Sequence, residues 1–129
     1  MTQRPRLAQS ELEIAQIVWR LGEARVRDVA EALPPERQLD FWTVQTYLRR
    51  LKTKGYLRTR RDGRSNVYSP SVRPDNVVRG LVKDFVDRTF AGQAMPLMQQ
   101  LIDDRGLSDS EIDSLQAMLN DLKRKGKKS

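Results

Sequence analysis

The sequence predicts a mainly α protein with one small β-hairpin: three helices and the hairpin first, then three more helices. Three observations carry this prediction. Apolar residues recur at three- and four-residue steps in six separate stretches. An Asp62-Gly63 turn signal sits between two short segments of strand character. Charge is segregated along the chain. Residues 1–40 hold six Lys/Arg against seven Asp/Glu, residues 41–73 nine against one, and residues 74–122 four against nine, while the last seven residues add five positive charges.

The first helix is expected over residues 9–21, where Leu12, Ala15, Val18 and Trp19 share a face and Leu21 extends it. Ser10 and Glu13 have capping-box spacing, with Ala8 or Gln9 as alternative starts, and Gly22 suits a left-handed C-terminus. A second helix fits residues 26–33, with Val26, Val29, Ala30 and Leu33 on one side, and Pro34-Pro35 end it. After a polar loop at 36–39, Asp40 is a good N-cap for a third helix over residues 41–54, ended by Gly55. Val44, Tyr47, Leu48 and Leu51 form its inward stripe, while Trp42, Thr46, Arg49 and Thr53 lie opposite. Strands are expected at 56–60 and 66–69; Leu57 and Thr59 alternate with Arg58 and Arg60, so one face packs and the other meets solvent or phosphate. Residues 70–74 form a linker. Helices then cover about 75–90 and 94–104, with Pro96 in a first turn, and a last one opens on the capping-box pattern Ser108–Glu111 and ends before the lysine-rich tail.

Composition excludes whole classes of chemistry. The chain has 129 residues, 32% of them charged, with no apolar run near the roughly 18 residues of a membrane span. No hydrophobic segment follows the N-terminal arginines, so a secretory signal is not expected and the cytoplasm is. Without cysteine or histidine there are no disulfides, thiolate or imidazole metal sites, cysteine nucleophiles or imidazole bases. No paired-carboxylate motif is present either, so neither catalytic residues, a cofactor nor a metal is expected.

Helix, helix, helix, basic hairpin is the order of a winged helix-turn-helix, expected over residues 1–72, with residues 73–129 as a helical second domain and basic tail. A helix anchored by its inner face presents polar side chains to the major groove of double-stranded DNA, and an arginine-rich hairpin reaches flanking phosphates or the minor groove. The candidate groups are Trp42, Thr43, Gln45, Thr46, Arg49 and Arg50 on the helix and Arg58, Arg60, Arg61 and Arg64 on the wing. A solvated charged face explains one such helix. It does not explain eight basic residues against one acid between Arg49 and Arg64, a density that repels itself unless a polyanion neutralises it. For Trp42 the expectation is packing beneath the 36–39 loop; the alternative is contact with a thymine methyl or a sugar.

Several segments resemble the BlaI/MecI penicillinase-repressor family: LAQSELEIAQIVW at 7–19, GEARVRDV at 22–29, TVQTYLRRL at 43–51, KGYL at 54–57 and GRSNVY at 63–68. The resemblance implies a homodimeric transcriptional repressor on a palindromic operator, with an N-terminal winged helix and a C-terminal three-helix dimerisation domain. It places Thr43 and Thr46 on the DNA-facing side. It also implies a membrane sensor-protease whose signal leads to cleavage between Asn and Phe in the fifth helix; Gln100-Leu101 stand there instead. Ala8 replaces the usual Ser/Thr before the first helix, and the cysteine cluster of copper-responsive relatives is missing.

Dimerisation also follows from the apolar stripes, because helices of this length, apolar on one side, cannot bury that side alone. The residues expected at the interface are Leu81, Phe85, Leu97, Leu101, Ile112, Leu115, Leu119 and Leu122. The alternative folds the C-terminal helices back on the winged domain, with Asp84, Asp87, Asp103 and Asp104 toward its basic face. Two other functions stay open: sequence-independent nucleic-acid binding, favoured by the lysine tail, and a protein-interaction winged helix with an acidic partner.

Overall fold

The structure, a computed structural model, describes residues 4–37 and 39–127. Its elements run in the order α1 (Gln9–Leu21), α2 (Val26–Ala32), α3 (Phe41–Thr53), β1 (Leu57–Asp62), β2 (Ser65–Pro70), α4 (Pro74–Thr89), α5 (Ala94–Arg105) and α6 (Asp109–Lys127). They fall into two compact units, Met1–Gly80 and Leu81–Ser129, with the division inside α4. Gln38 of the expected loop and Lys128 and Ser129 of the tail lie outside the described residues.

The core of the first unit is built from α1, α2, α3 and the hairpin. Ile14, Ala15, Ile17 and Val18 of α1 meet Val29 of α2, Val44, Leu48 and Leu51 of α3, and Leu57 and Tyr68 of the wing, all buried. Ile14 and Ile17 belong to the buried face that the expected stripe passed over, and Leu21, expected inside, is 44% exposed. Helix α1 starts at Ala8 rather than through Ser10 and Glu13. The Glu11 carboxylate accepts from the Ala8 amide at 2.8 Å, the half of a capping box that alanine permits. Helix α3 is capped as expected: Asp40 Oδ1 accepts from the Thr43 amide at 2.7 Å. It ends in a Schellman arrangement, with the Tyr56 amide donating to the Leu51 carbonyl and the Gly55 amide to that of Lys52. Gly55 adopts φ 91°, which is why a glycine stands there.

The hairpin is longer and tighter than expected. Its register runs from Leu57 opposite Pro70 to Asp62 opposite Ser65, leaving Gly63 and Arg64 as a two-residue turn. Only Gly63 of these two has positive φ, at 65°, the pattern of a type II′ turn. A third segment joins the sheet: Ala24 exchanges two backbone hydrogen bonds with Tyr68, of 2.9 and 2.8 Å.

Pro74 opens α4, which runs from the first unit into the second, at a position where a missing amide costs nothing. Ser108 and Glu111 form a complete capping box for α6, with bonds of 3.1 and 3.2 Å. That helix does not stop before the lysines; it continues to Lys127, since nothing in Lys-Arg-Lys opposes helix.

Candidate nucleic-acid interface

Helix α3 is held from beneath and at both ends, which leaves its outer face rigid and free. Val44, Leu48 and Leu51 are fully buried, while Trp42, Thr46, Arg49, Arg50 and Thr53 are exposed and Thr43 and Gln45 half-buried. Trp42 does not pack beneath the preceding loop; it is 73% exposed. At the second position of α3 it points away from the stripe of Val44, Leu48 and Leu51, so the core cannot cover it. Thr46 Oγ1 donates to the Trp42 carbonyl at 2.9 Å, and Thr53 Oγ1 to the Arg49 carbonyl at 3.0 Å. The Arg50 guanidinium lies over the Tyr47 ring, 5.8 Å from its centroid.

Lys54 belongs to a different group, although the sequence counts it with the basic block. Its ammonium donates to Glu11 Oε1 at 2.5 Å and to the Arg6 carbonyl at 2.8 Å. Glu11 is only 2% exposed. Burial raises its pKa, but the hydrogen bonds from Lys54 and the Ala8 amide, with the Lys54 and Arg50 charges, hold it below the ordinary value. Arg4 Nε adds a bond to the Gly55 carbonyl at 3.0 Å, and the Tyr56 hydroxyl one to the Pro5 carbonyl at 2.8 Å. The N-terminal arm is thus strapped to the end of α3.

On the wing, Arg58, Arg60, Arg61 and Arg64 are all exposed. Two ion pairs tie the hairpin to the segment before α2: Arg60 to Glu23 at 3.0 Å, and Asp62 to Arg25. A cleft of about 540 Å³ opens between the wing, α3 and the start of α2. Four arginines (Arg25, Arg27, Arg61 and Arg64) and one acid, Asp28, line it with Gln45, Asn66, Phe41 and Tyr68. Among the described residues, Arg27, Arg61 and Arg64 form no ion pair. The structure therefore brings Gln45, Arg61 and Arg64 of the expected set together at this cleft. Arg58 does not line it, and Arg60 is held outside it by Glu23. Arg25 and Arg27 were missed because they sit in a stretch whose net charge is slightly negative. The signal was their spacing beside Val26, which sends both outward while Val29 goes inward.

A helix in the major groove with a hairpin beside it straddles the phosphate ridge that separates the two grooves. A cleft with four arginines against one aspartate between those elements has the sign that such a ridge requires.

In the second unit six of the eight expected interface residues are exposed. Leu81 and Leu97 are half-buried; Phe85, Leu101, Ile112, Leu115, Leu119 and Leu122 are exposed, Leu122 by 67%. Phe85 meets Phe90 edge to face, with ring centroids 5.7 Å apart. Among the described residues no group of acidic side chains could hold a metal ion, and no helix is long and apolar enough to cross a membrane.

The chain is similar to known proteins in sequence and, over part of its length, in fold. The penicillinase repressor family model matches residues 7–121. The penicillinase repressor of Bacillus licheniformis is 26% identical over 127 residues, covering 98% of this chain and 99% of that protein. The methicillin resistance regulatory protein MecI of Mammaliicoccus sciuri is 24% identical over 114 residues, 88% of this chain and 93% of its own length. Among solved structures, the DNA-binding domain of the repressor BlaI is 29% identical with a TM-score of 0.51, covering 59% of this chain and 93% of that domain. The chain belongs to the penicillinase repressor family.

Proposed function

We propose that this protein is a sequence-specific transcriptional repressor that occupies a palindromic operator as a homodimer. The family is one of DNA-binding repressors rather than enzymes. The observation that carries the DNA reading is the pairing of an anchored α3 with an arginine-lined cleft beneath the wing. Helix α3 enters the major groove, where Thr43, Gln45, Thr46, Arg49 and Arg50 are the residues within reach of base edges and adjoining phosphates. Arg58, Arg61 and Arg64 of the wing, joined by Arg25 and Arg27, hold the backbone and set register. Residues 1–72 act as the reader. Residues 73–129 act as the dimerisation domain, because twelve large apolar side chains from Val78 to Leu122 stand exposed in a single chain. A protein of this kind works on cytoplasmic DNA.

Release by a sensor-protease has less support. Gln100 and Leu101, where the family's cleavage pair falls, are in the middle of α5, and a protease needs that helix unwound before it can act.

Gel shifts on duplexes selected from randomised DNA, repeated at two salt concentrations, test the function. With about four phosphates neutralised per subunit, the log–log salt slope of a dimer is expected near −7. Affinity indifferent to sequence would defeat the operator reading.

A further inference from the structure

Trp42 is a large aromatic in a basic surface, and no part of the winged unit covers it. The residue is 73% exposed. It lies one turn before Thr46 and about two before Arg49, on the outward stripe that ends at Thr53. That stripe spans about 16 Å of helix, roughly five base steps of duplex. In helix-turn-helix docking the N-terminal residues of the recognition helix meet base edges. Trp42 is the second residue of α3, so it belongs to that N-terminal turn.

Hydrogen bonding narrows what this stripe can read. A threonine hydroxyl has one hydrogen to donate. Thr46 has placed its own on the Trp42 carbonyl at 2.9 Å, and Thr53 on the Arg49 carbonyl at 3.0 Å. The two residues are left with methyl groups and oxygen lone pairs facing outward. With the indole added, the stripe offers two methyl groups and an aromatic face, and its donors are the indole Nε1–H at one edge and the Arg49 guanidinium. Each base pair shows the major groove a pattern of donors and acceptors, but only thymine adds an apolar group, its 5-methyl. A stripe whose threonine donors are used internally and whose largest group is an aromatic face matches that methyl.

We propose that Trp42 determines specificity by packing its indole against the 5-methyl of one thymine in each half-site. The inference rests on α3 occupying the major groove. Deoxyuridine tests it, because it removes the methyl and leaves the base-pairing edge unchanged. A duplex selected from randomised DNA by the full-length protein is remade with each thymine of one half-site replaced in turn by deoxyuridine. Binding is then measured for wild type, Trp42→Ala and Trp42→Phe.

The expected result is one thymine at which loss of the methyl weakens wild-type binding about fourfold, the effect of exposing one buried methyl group. Trp42→Ala should bind the parent duplex more weakly, lose that dependence, and keep the salt slope. Trp42→Phe should retain part of it. Uracil tolerated by wild type at every position would overturn the proposal, and that scan needs no variant to fold. So would an unchanged uracil penalty in Trp42→Ala, since the methyl would then touch something else. An equal loss for Trp42→Ala on every duplex would mark a backbone contact and overturn it as well. Failure of the underlying repressor reading looks different: wild type would bind random and selected duplexes alike, before any thymine is changed.

Discussion

Replacing Lys54 by methionine should destabilise the winged unit by about 2–3 kcal/mol at neutral pH, and the deficit should shrink on acidification. Glu11 is 2% exposed, and its Oε1 accepts from the Lys54 ammonium at 2.5 Å and from the Ala8 amide at 2.8 Å. Without the ammonium a buried carboxylate keeps a single amide donor. Breaking a buried pair in this way costs about 3–5 kcal/mol. The side chain of Lys54 is 25% exposed and the amide bond survives, which lowers the figure to about 2–3. For a unit of this size that corresponds to a fall in Tm of about 8–24 °C.

The pH dependence follows from the same geometry. Burial acts to raise the Glu11 pKa, but the bonds from Lys54 and Ala8 overcome it and hold the carboxyl below its ordinary 4.5. Such a group stabilises the fold fully above about 4.5 and loses that contribution as pH falls through its lower, folded value. In the methionine variant burial goes unopposed by the ammonium, so the carboxyl takes up a proton at higher pH and is relieved by it. The gap between wild type and Lys54→Met should therefore be largest at pH 7 and narrow at pH 4. Urea unfolding at both pH values, followed by circular dichroism, measures the gap. A deficit under about 1 kcal/mol, or one equal at the two pH values, would refute the reasoning. Adding Glu11→Gln should recover much of the loss, because a neutral amide is far cheaper to bury than an unpaired charge.

Four further outcomes are expected. Asp40→Ala should lower Tm by uncapping α3, while Asp40→Asn keeps the cap; the Thr43 amide holds the Asp40 carboxyl below its ordinary 3.8, so its contribution is present above that pH and fades below, and acid titration of the Asn variant should lack that component. Arg61→Ala or Arg64→Ala should each flatten the salt slope by about 0.9 per subunit without changing sequence preference, and Arg60→Ala by less because Glu23 already holds it, as parallel salt titrations would show. Ala91→Gly should stabilise the second unit by about 1 kcal/mol in thermal unfolding, since Ala91 adopts φ 52°, a left-handed conformation that a Cβ disfavours. Leu115→Glu should leave helicity unchanged and sediment as a monomer where the proposed wild-type dimer sediments faster; equal sedimentation coefficients would count against an interface on α6.

The elements legible in the sequence were those governed by nearest neighbours along the chain. Periodicity located all six helices to within a residue or two at most ends, and Asp40, Ser108 and Gly55 marked termini because a cap acts within three or four residues. The hairpin was readable from Asp62-Gly63, but its full length was not, since Arg61 and Asp62 show no alternation to mark them as strand. The last helix was cut short because a lysine run suggests a solvated tail, although lysine is a good helix former.

Other features depend on partners 37 to 51 positions away. Nothing local distinguishes Lys54 from Lys52, yet one closes over the buried Glu11 while the other faces solvent. Arg60 and Arg61 are adjacent and identical in type, but only Arg60 meets Glu23. Arg25 and Arg27 join the wing at one cleft because Ala24 pairs with Tyr68, a contact carried by a single residue. Trp42 was expected to be covered, and the path of the chain left it open. By itself the sequence determined the helix order, the hairpin and the basic stretch proposed to meet DNA, because periodicity, capping and charge all act within a few residues. The tertiary structure alone decided which of those cations remain free, because pairing depends on what folding brings within a few ångströms.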